Sequence, residues 1–138
     1  MNFEICVSTP VDVAIALEAG ADRVELCGHW ECGGLTPTTA SVRASASIGI
    51  PVRALIRPRA GNFVYNASEK ELIIAEALDC LDAGAKMIVV GGLDESGNVD
   101  EHLLEMLCEK ISSEVMVFHR ALDVSSNPLE SAKVLQDF

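Results

Sequence analysis

Basic residues are scarce in this chain. Ten Lys+Arg against 21 Asp+Glu leave a formal net charge of -11 over 138 residues. A surface this negative repels phosphate backbones and anionic lipid unless a local basic patch overrides the field, and no such patch occurs. Nucleic-acid binding and docking on a membrane surface are therefore excluded as expectations. Aromatic residues make up only 4% of the chain. No window approaches the roughly 18 uninterrupted apolar residues of a membrane span, and Met1-Asn2-Phe3-Glu4 lacks the basic start of a secretory signal. The expected address is cytoplasmic. A CxxC framework is missing too: Cys6, Cys27, Cys32, Cys80 and Cys108 are an odd number, scattered singly through apolar segments, which points to reduced thiols and not to disulfide staples. No P-loop, GxGxxG or nucleophile motif is present.

What is present is an alternation of short apolar runs with helix-length amphipathic stretches. The runs fall at Phe3 to Val7, Val24 to Cys27, Val52 to Ile56, Met87 to Val90 and Val115 to Phe118. Their β-branched content and their Gly or Pro borders read as buried parallel strands. Helix starts are marked where a side chain can satisfy unpaired backbone amides. Thr9-Pro10 opens one helix that Gly20 closes, Asp100 caps another carrying Leu103, Leu104, Leu107 and Ile111, and Asn127-Pro128 opens the last. Ser68-Glu69-Lys70-Glu71 reads as a capping box, and Leu72, Ala75, Leu78 and Leu81 as the buried stripe that follows it. The segment Thr38 to Ile48, rich in Ser and Ala, carries the weakest helical signal.

Strand starts near residues 3, 24, 52, 87 and 115 give about 28 residues per βα unit. Such regularity fits a five-stranded doubly wound sheet or a (β/α)8 barrel of the TIM type. Eight units need about 250 residues. The apolar ending Val134-Leu135-Gln136-Asp137-Phe138 lacks a following strand to cover, so the reading is α/β, a single barrel domain over 1–138 holding about the first five βα units and cut short at its carboxyl end.

In parallel βα folds, ligands sit beyond the carboxyl ends of the strands. Polar residues crowd there: Glu4-Ile5-Cys6, Glu25-Leu26-Cys27, Arg57-Pro58-Arg59 and His119-Arg120-Ala121-Leu122-Asp123. Side chains alternate along a strand, so the repeated Glu-x-Cys pattern puts Glu4 with Cys6, and Glu25 with Cys27, on one face. Two sulfurs on neighbouring strands suit Cu(I), whereas Zn(II) usually takes four ligands. Free cysteine also fills space in cores, the reading for Cys80 and Cys108. Cys32 lies in a Gly-rich loop near His29, where the pair could add ligands or simply be solvated. His102, in a first helical turn, reads as solvated.

The charged strand ends admit two readings. Glu4 and Glu25 should face arginines, because an unpaired buried carboxylate costs several kcal/mol; that makes an internal salt-bridge layer. Alternatively Arg57 and Arg59, with Arg120 beside His119, grip a small anionic or sugar-like ligand, with His119 or Glu25 as acid or base and Asp123 orienting the imidazole. Gly33-Gly34 and Gly91-Gly92 allow close backbone approach at two strand-end loops, as phosphate sites require.

At these residues the chain resembles the CutC family of copper homeostasis proteins. The matching segments are Glu4-Ile5-Cys6-Val7, Gly20 to Cys27, Gly33-Gly34-Leu35-Thr36-Pro37, Ile56-Arg57-Pro58-Arg59 and Phe118-His119-Arg120-Ala121, in order through the whole chain. The resemblance implies a cytoplasmic (β/α)8 barrel that handles copper, with Cu(I) at two cysteines matching Cys6 and Cys27. The other expectation is an enzyme acting on a phosphorylated or carboxylated metabolite at the barrel mouth; a third is a piece whose open strand edges pair, for instance in a homo-oligomer. Three positions depart from the family pattern: Ala60-Gly61-Asn62 where it reads Gly-Gly-Asp, Glu31-Cys32 where it reads Ser-Glu, and Val117 where threonine is usual.

Overall fold

The computed structural model describes Met1–Phe138 and consists of five βα units. In chain order these are β1 (Glu4–Val7) and α1 (Pro10–Glu18), β2 (Arg23–Leu26) and α2 (Thr39–Ala46), β3 (Val52–Leu55) and α3 (Ala67–Asp82), β4 (Met87–Val90) and α4 (Glu101–Cys108), and β5 (Met116–Phe118) and α5 (Pro128–Val134). Short 3₁₀ turns at Trp30–Cys32 and Arg120–Val124 follow β2 and β5. All strands are parallel and lie in the order β1-β2-β3-β4-β5. That sequential order has no switch point, which separates it from a doubly wound sheet and matches the winding of a TIM barrel. No helix is long and apolar enough to cross a membrane.

The caps explain why the helices begin where they do. Thr9 and Asp12 form a reciprocal capping box that spans Pro10, while Asp100, Asn127 and Thr38 each accept an amide of the first turn of their helices. The helix from Thr39 is thus real despite its weak sequence signal. For α3 the expectation needs correction. Its N-cap is Asn66, boxed with Glu69, and Ser68 lies inside the helix. The buried stripe is Ile73, Ala77 and Cys80, whereas Leu72 and Leu78 are exposed. Two overlapping boxes compete here, Asn66 with Glu69 and Ser68 with Glu71, and the first wins. The packed face of α3 follows an i, i+4, i+7 progression that turns Leu72 and Leu78 toward solvent.

The two faces of the sheet differ in kind. Val24, Leu26, Val52, Ala54, Ile88 and Val90 point toward the helices and join Val13, Val42, Ile73, Leu103 and Leu107 in a core of 27 buried residues. The opposite face carries the charged and sulfur-bearing side chains.

Candidate functional site

The register places those side chains in tiers. Glu4 pairs with Arg23, while Cys6, Glu25, Arg53 and Met87 occupy successive strands at one level. Above them Cys27, Leu55 and Val89 form a small cluster with Val117 packed against it. Arg57 and His119 stand beyond the ends of β3 and β5. The lowest tier is an ion-pair layer. Glu4 Oε2 accepts from Arg23 Nε and, at 2.9 Å, from Arg53 Nη1. Glu4 therefore meets the arginines it was expected to face, but Glu25 makes no ion pair of its own. Its carboxyl is held above the usual range by burial and by Glu4, with Arg53 opposing.

A cavity of about 640 Å³ opens above these tiers. Cys6, Glu25 and Cys27 border it on one side; Arg57, Phe63 and His119 on the other; Arg120 and Asp123 lie at its rim. Cys6 stands level with Glu25, so Cys27 lies two residues further along β2, a diagonal and not a level neighbour of Cys6. Burial, together with Glu25 and Glu4, raises the Cys6 thiol. Cys27 is buried, its Sγ 3.6 Å from the Val7 carbonyl oxygen, and burial followed by the Cys6 and Glu25 charges pushes it up to about 11. Both thiols are therefore protonated near neutrality. Nowhere do three or more His, Cys, Asp or Glu side chains converge as a ready metal cluster.

Across the cavity, Arg57 is buried. Its Nη1 donates to the carbonyl oxygens of Cys32 (3.2 Å) and Gly34 (3.1 Å), its Nη2 to that of Gly61 (2.8 Å), and its guanidinium lies 4.9 Å from the Phe63 ring centroid. Arg120 Nη2 donates to the Gly33 carbonyl at 3.2 Å. Glycine is favoured there by its φ of +77°, and a Cβ on Gly33 would fall 2.7 Å from Arg120 Nη2, so the guanidinium would have to shift. His119 accepts the Ala121 amide proton at Nδ1 (3.2 Å) and packs 4.9 Å from the Phe63 ring. Gly91 leaves room for the imidazole, since a Cβ would lie 2.7 Å from His119 Nδ1. Burial first, then the positive Arg57 and Arg120, lower the His119 pKa to about 4. The ring is neutral at pH 7, and because Nδ1 is an acceptor the proton sits on Nε2.

Most residues singled out in the sequence thus meet at one cavity: Cys6, Glu25, Cys27, Arg57, His119, Arg120 and Asp123. Arg59 does not join them. It pairs with Glu69, donates to the Asn62 and Val64 carbonyls, and lies over Tyr65, so it braces the loop into α3. Asn62, the amide replacing a family carboxylate, belongs to that brace through its Oδ1 and not to the cavity. His29 and Cys32 are exposed, with His29 Nδ1 3.5 Å from Glu31. Cys80 is buried as expected, but Cys108, at the last turn of α4, is exposed and packs nothing. His102 is solvated. Phe63, the floor on which both arginines rest, carried no sequence signal beyond its place in the Arg57-to-Phe63 segment.

The CutC family model matches residues 1–138. A family protein CutC from Xanthomonas campestris pv. campestris (strain 8004) is 40% identical over 140 residues, covering 99% of this chain and 56% of the relative. One from Edwardsiella ictaluri is 36% identical over 138 residues, covering 99% and 55%. The chain therefore spans about half the length of the curated relatives it matches. Among solved structures, a CutC from Streptococcus agalactiae, provisionally described as a copper homeostasis protein, superposes with a TM-score of 0.85 at 30% identity, covering 98% of this chain and 68% of that one. KD(P)GA from T. tenax superposes at 0.65 with 17% identity, covering 99% and 52%, a likeness of fold alone. By sequence over its whole length and by superposition, the chain belongs to the CutC family.

Proposed function

We propose that this chain contributes to copper homeostasis by binding Cu(I) between the sulfurs of Cys6 and Cys27, in the reducing cytoplasm. One observation carries the reading: of five free cysteines, these two alone border the common cavity. Thiolate is the soft donor that Cu(I) prefers, and a two-sulfur set without a third acidic or imidazole ligand suits a two-coordinate monovalent ion better than tetrahedral zinc. Glu25 acts in both directions. Its charge helps keep the thiols protonated in the free protein, and the same charge attracts an incoming cation.

Metal capture must displace both thiol protons, so affinity climbs with pH, by up to about a hundredfold per unit while both remain protonated. The test is titration of the reduced chain with Cu(I) against a competing chelator across pH. The Cys6→Ala, Cys27→Ala double variant is expected to lose the site, whereas Cys80→Ala, which removes a thiol buried on α3 in the core between helices and sheet, keeps it. Wild-type stoichiometry and affinity in the double variant refute the reading.

A further inference from the structure

The far side of the cavity has a charge arrangement that copper binding does not use. Of the ten Lys and Arg side chains, Arg23, Arg53, Arg59, Lys70 and Lys133 have a carboxylate within 4.0 Å. Arg57 and Arg120 have none, and unlike Arg43, Lys86 and Lys110, which also lack one but are exposed away from the cavity, these two line it. Both reach the single carbonyl oxygen of Gly33, at 3.5 and 3.2 Å, and both lie over the ring of Phe63. Two like charges are thus held together by neutral acceptors only. Glu25 and Asp123 border the same cavity, yet neither forms an ion pair with them.

The neighbouring donors add to this imbalance. His119 is only 8% exposed, and its Nε2, the nitrogen that carries the proton, has no hydrogen-bond partner. Arg57 Nε is likewise buried without one. A buried donor left unsatisfied bears the full cost of its lost hydration, so orphan donors beside two guanidinium groups without a carboxylate mark a place that lacks its acceptor. A small oxyanion supplies what is missing: negative charge for the arginines and lone pairs for the imidazole N–H.

We propose that the end of the cavity formed by Arg57, Arg120 and His119 binds the phosphate or carboxylate group of a small metabolite. The group lies against donors from the ends of β3 and β5, with the rest of the molecule extending into the cavity toward Glu25. This goes beyond the copper reading and is independent of it, since it uses neither thiol.

The experiment is calorimetric titration of the full chain with inorganic phosphate and, separately, with acetate, at constant ionic strength set by chloride. The nitrogen resonances of His119 are followed in parallel. Saturable binding is expected in at least one arm, with a shift at His119 Nε2, and the tighter arm identifies the head group as phosphate or carboxylate. Arg120 is exposed, so Arg120→Gln should fold normally. It is expected to weaken binding about tenfold or more, the effect of losing one charge-assisted hydrogen bond. Arg43→Gln removes the same charge from the exposed face of α2 and should leave binding unchanged. Absence of saturable binding in both arms overturns the proposal, as does equal binding by the Arg120→Gln and Arg43→Gln variants.

Discussion

Residues that alternate along the same five strands lead two different lives. Toward the helices, Val24, Leu26, Val52, Ala54, Ile88 and Val90 interlock with aliphatic side chains. Toward the interior of the barrel, Glu4, Cys6, Arg23, Glu25 and Arg53 form a polar floor, and the small apolar cluster of Cys27, Leu55 and Val89 stands above it. A period of two lets one strand serve both purposes. The helix-facing set fixes the backbone, and the backbone then holds the opposite set at fixed heights. Stability and chemistry are separable in this sheet to the extent that each can be altered without the other.

The sharpest way to break that separation is to empty the helix side. Ile88→Ala should destabilise the fold by about 2–5 kcal/mol, the range for a large aliphatic residue truncated in a close-packed core, while leaving the copper stoichiometry of the folded fraction unchanged. Denaturant unfolding and Cu(I) titration on the same sample check both halves. A variant that loses its metal while still folded shows that the two faces are coupled, and one that keeps its stability shows that Ile88 does not carry the core.

The interior side should reveal itself through pH. His119 has its pKa lowered from 6.5 to about 4 in the folded chain. Between these values the unfolded state binds more protons than the folded one, so stability rises with pH through that window and is lost as pH falls. The full effect of such a shift is about 3 kcal/mol. Glu25, raised by burial and Glu4, works in the opposite direction. The difference between the wild-type and His119→Gln profiles therefore isolates the histidine. It should slope between pH 6.5 and about 4 and be flat above; a flat difference throughout means that the ring is hydrated.

The smallest effect is expected at the ion-pair layer. Glu4→Gln strips the carboxylate from Arg23 and Arg53, whose side chains are 28% and 17% exposed. After allowance for solvent screening the cost is about 1–2 kcal/mol. Because Glu4 raises both the Cys6 and Glu25 pKa, the variant should also alkylate faster at Cys6 at a fixed pH. Unchanged alkylation places Glu4 outside the electrostatic reach of the thiol.

Much of this was legible in the residues themselves. Threonine, asparagine or aspartate just before an apolar-periodic stretch marks its helix start, because capping is local chemistry that needs no tertiary information. Glu-x-Cys, repeated in β1 and β2, gives the interior face directly. Legibility failed where two local solutions compete or where the deciding contact is remote in sequence. Asn66 and Ser68 can both open a box with a glutamate, and the apolar spacing that picks out Leu72 and Leu78 misses the packed face, because the orientation of α3 is set by its contact with the sheet. Arg57 and Arg59 look equivalent around Pro58, yet they reach different partners, one resting on Phe63 and the other held by Glu69. The burial of His119 depends on Phe63 and on the missing side chain of Gly91, neither of which is near it in sequence. Cys108 looked like packing material because it follows an apolar helix, but it falls on the last turn, beyond the sheet.

The bond between Arg120 and the Gly33 carbonyl spans 87 residues. A contact between residues so far apart in sequence carries a large loop-closure cost, which the docked units between them offset. The loop around Gly33 is exposed, so its amides should exchange faster than those of the central strands. The rim of the cavity is thus held by one long-range bond on a surface loop, while its floor is held by the sheet.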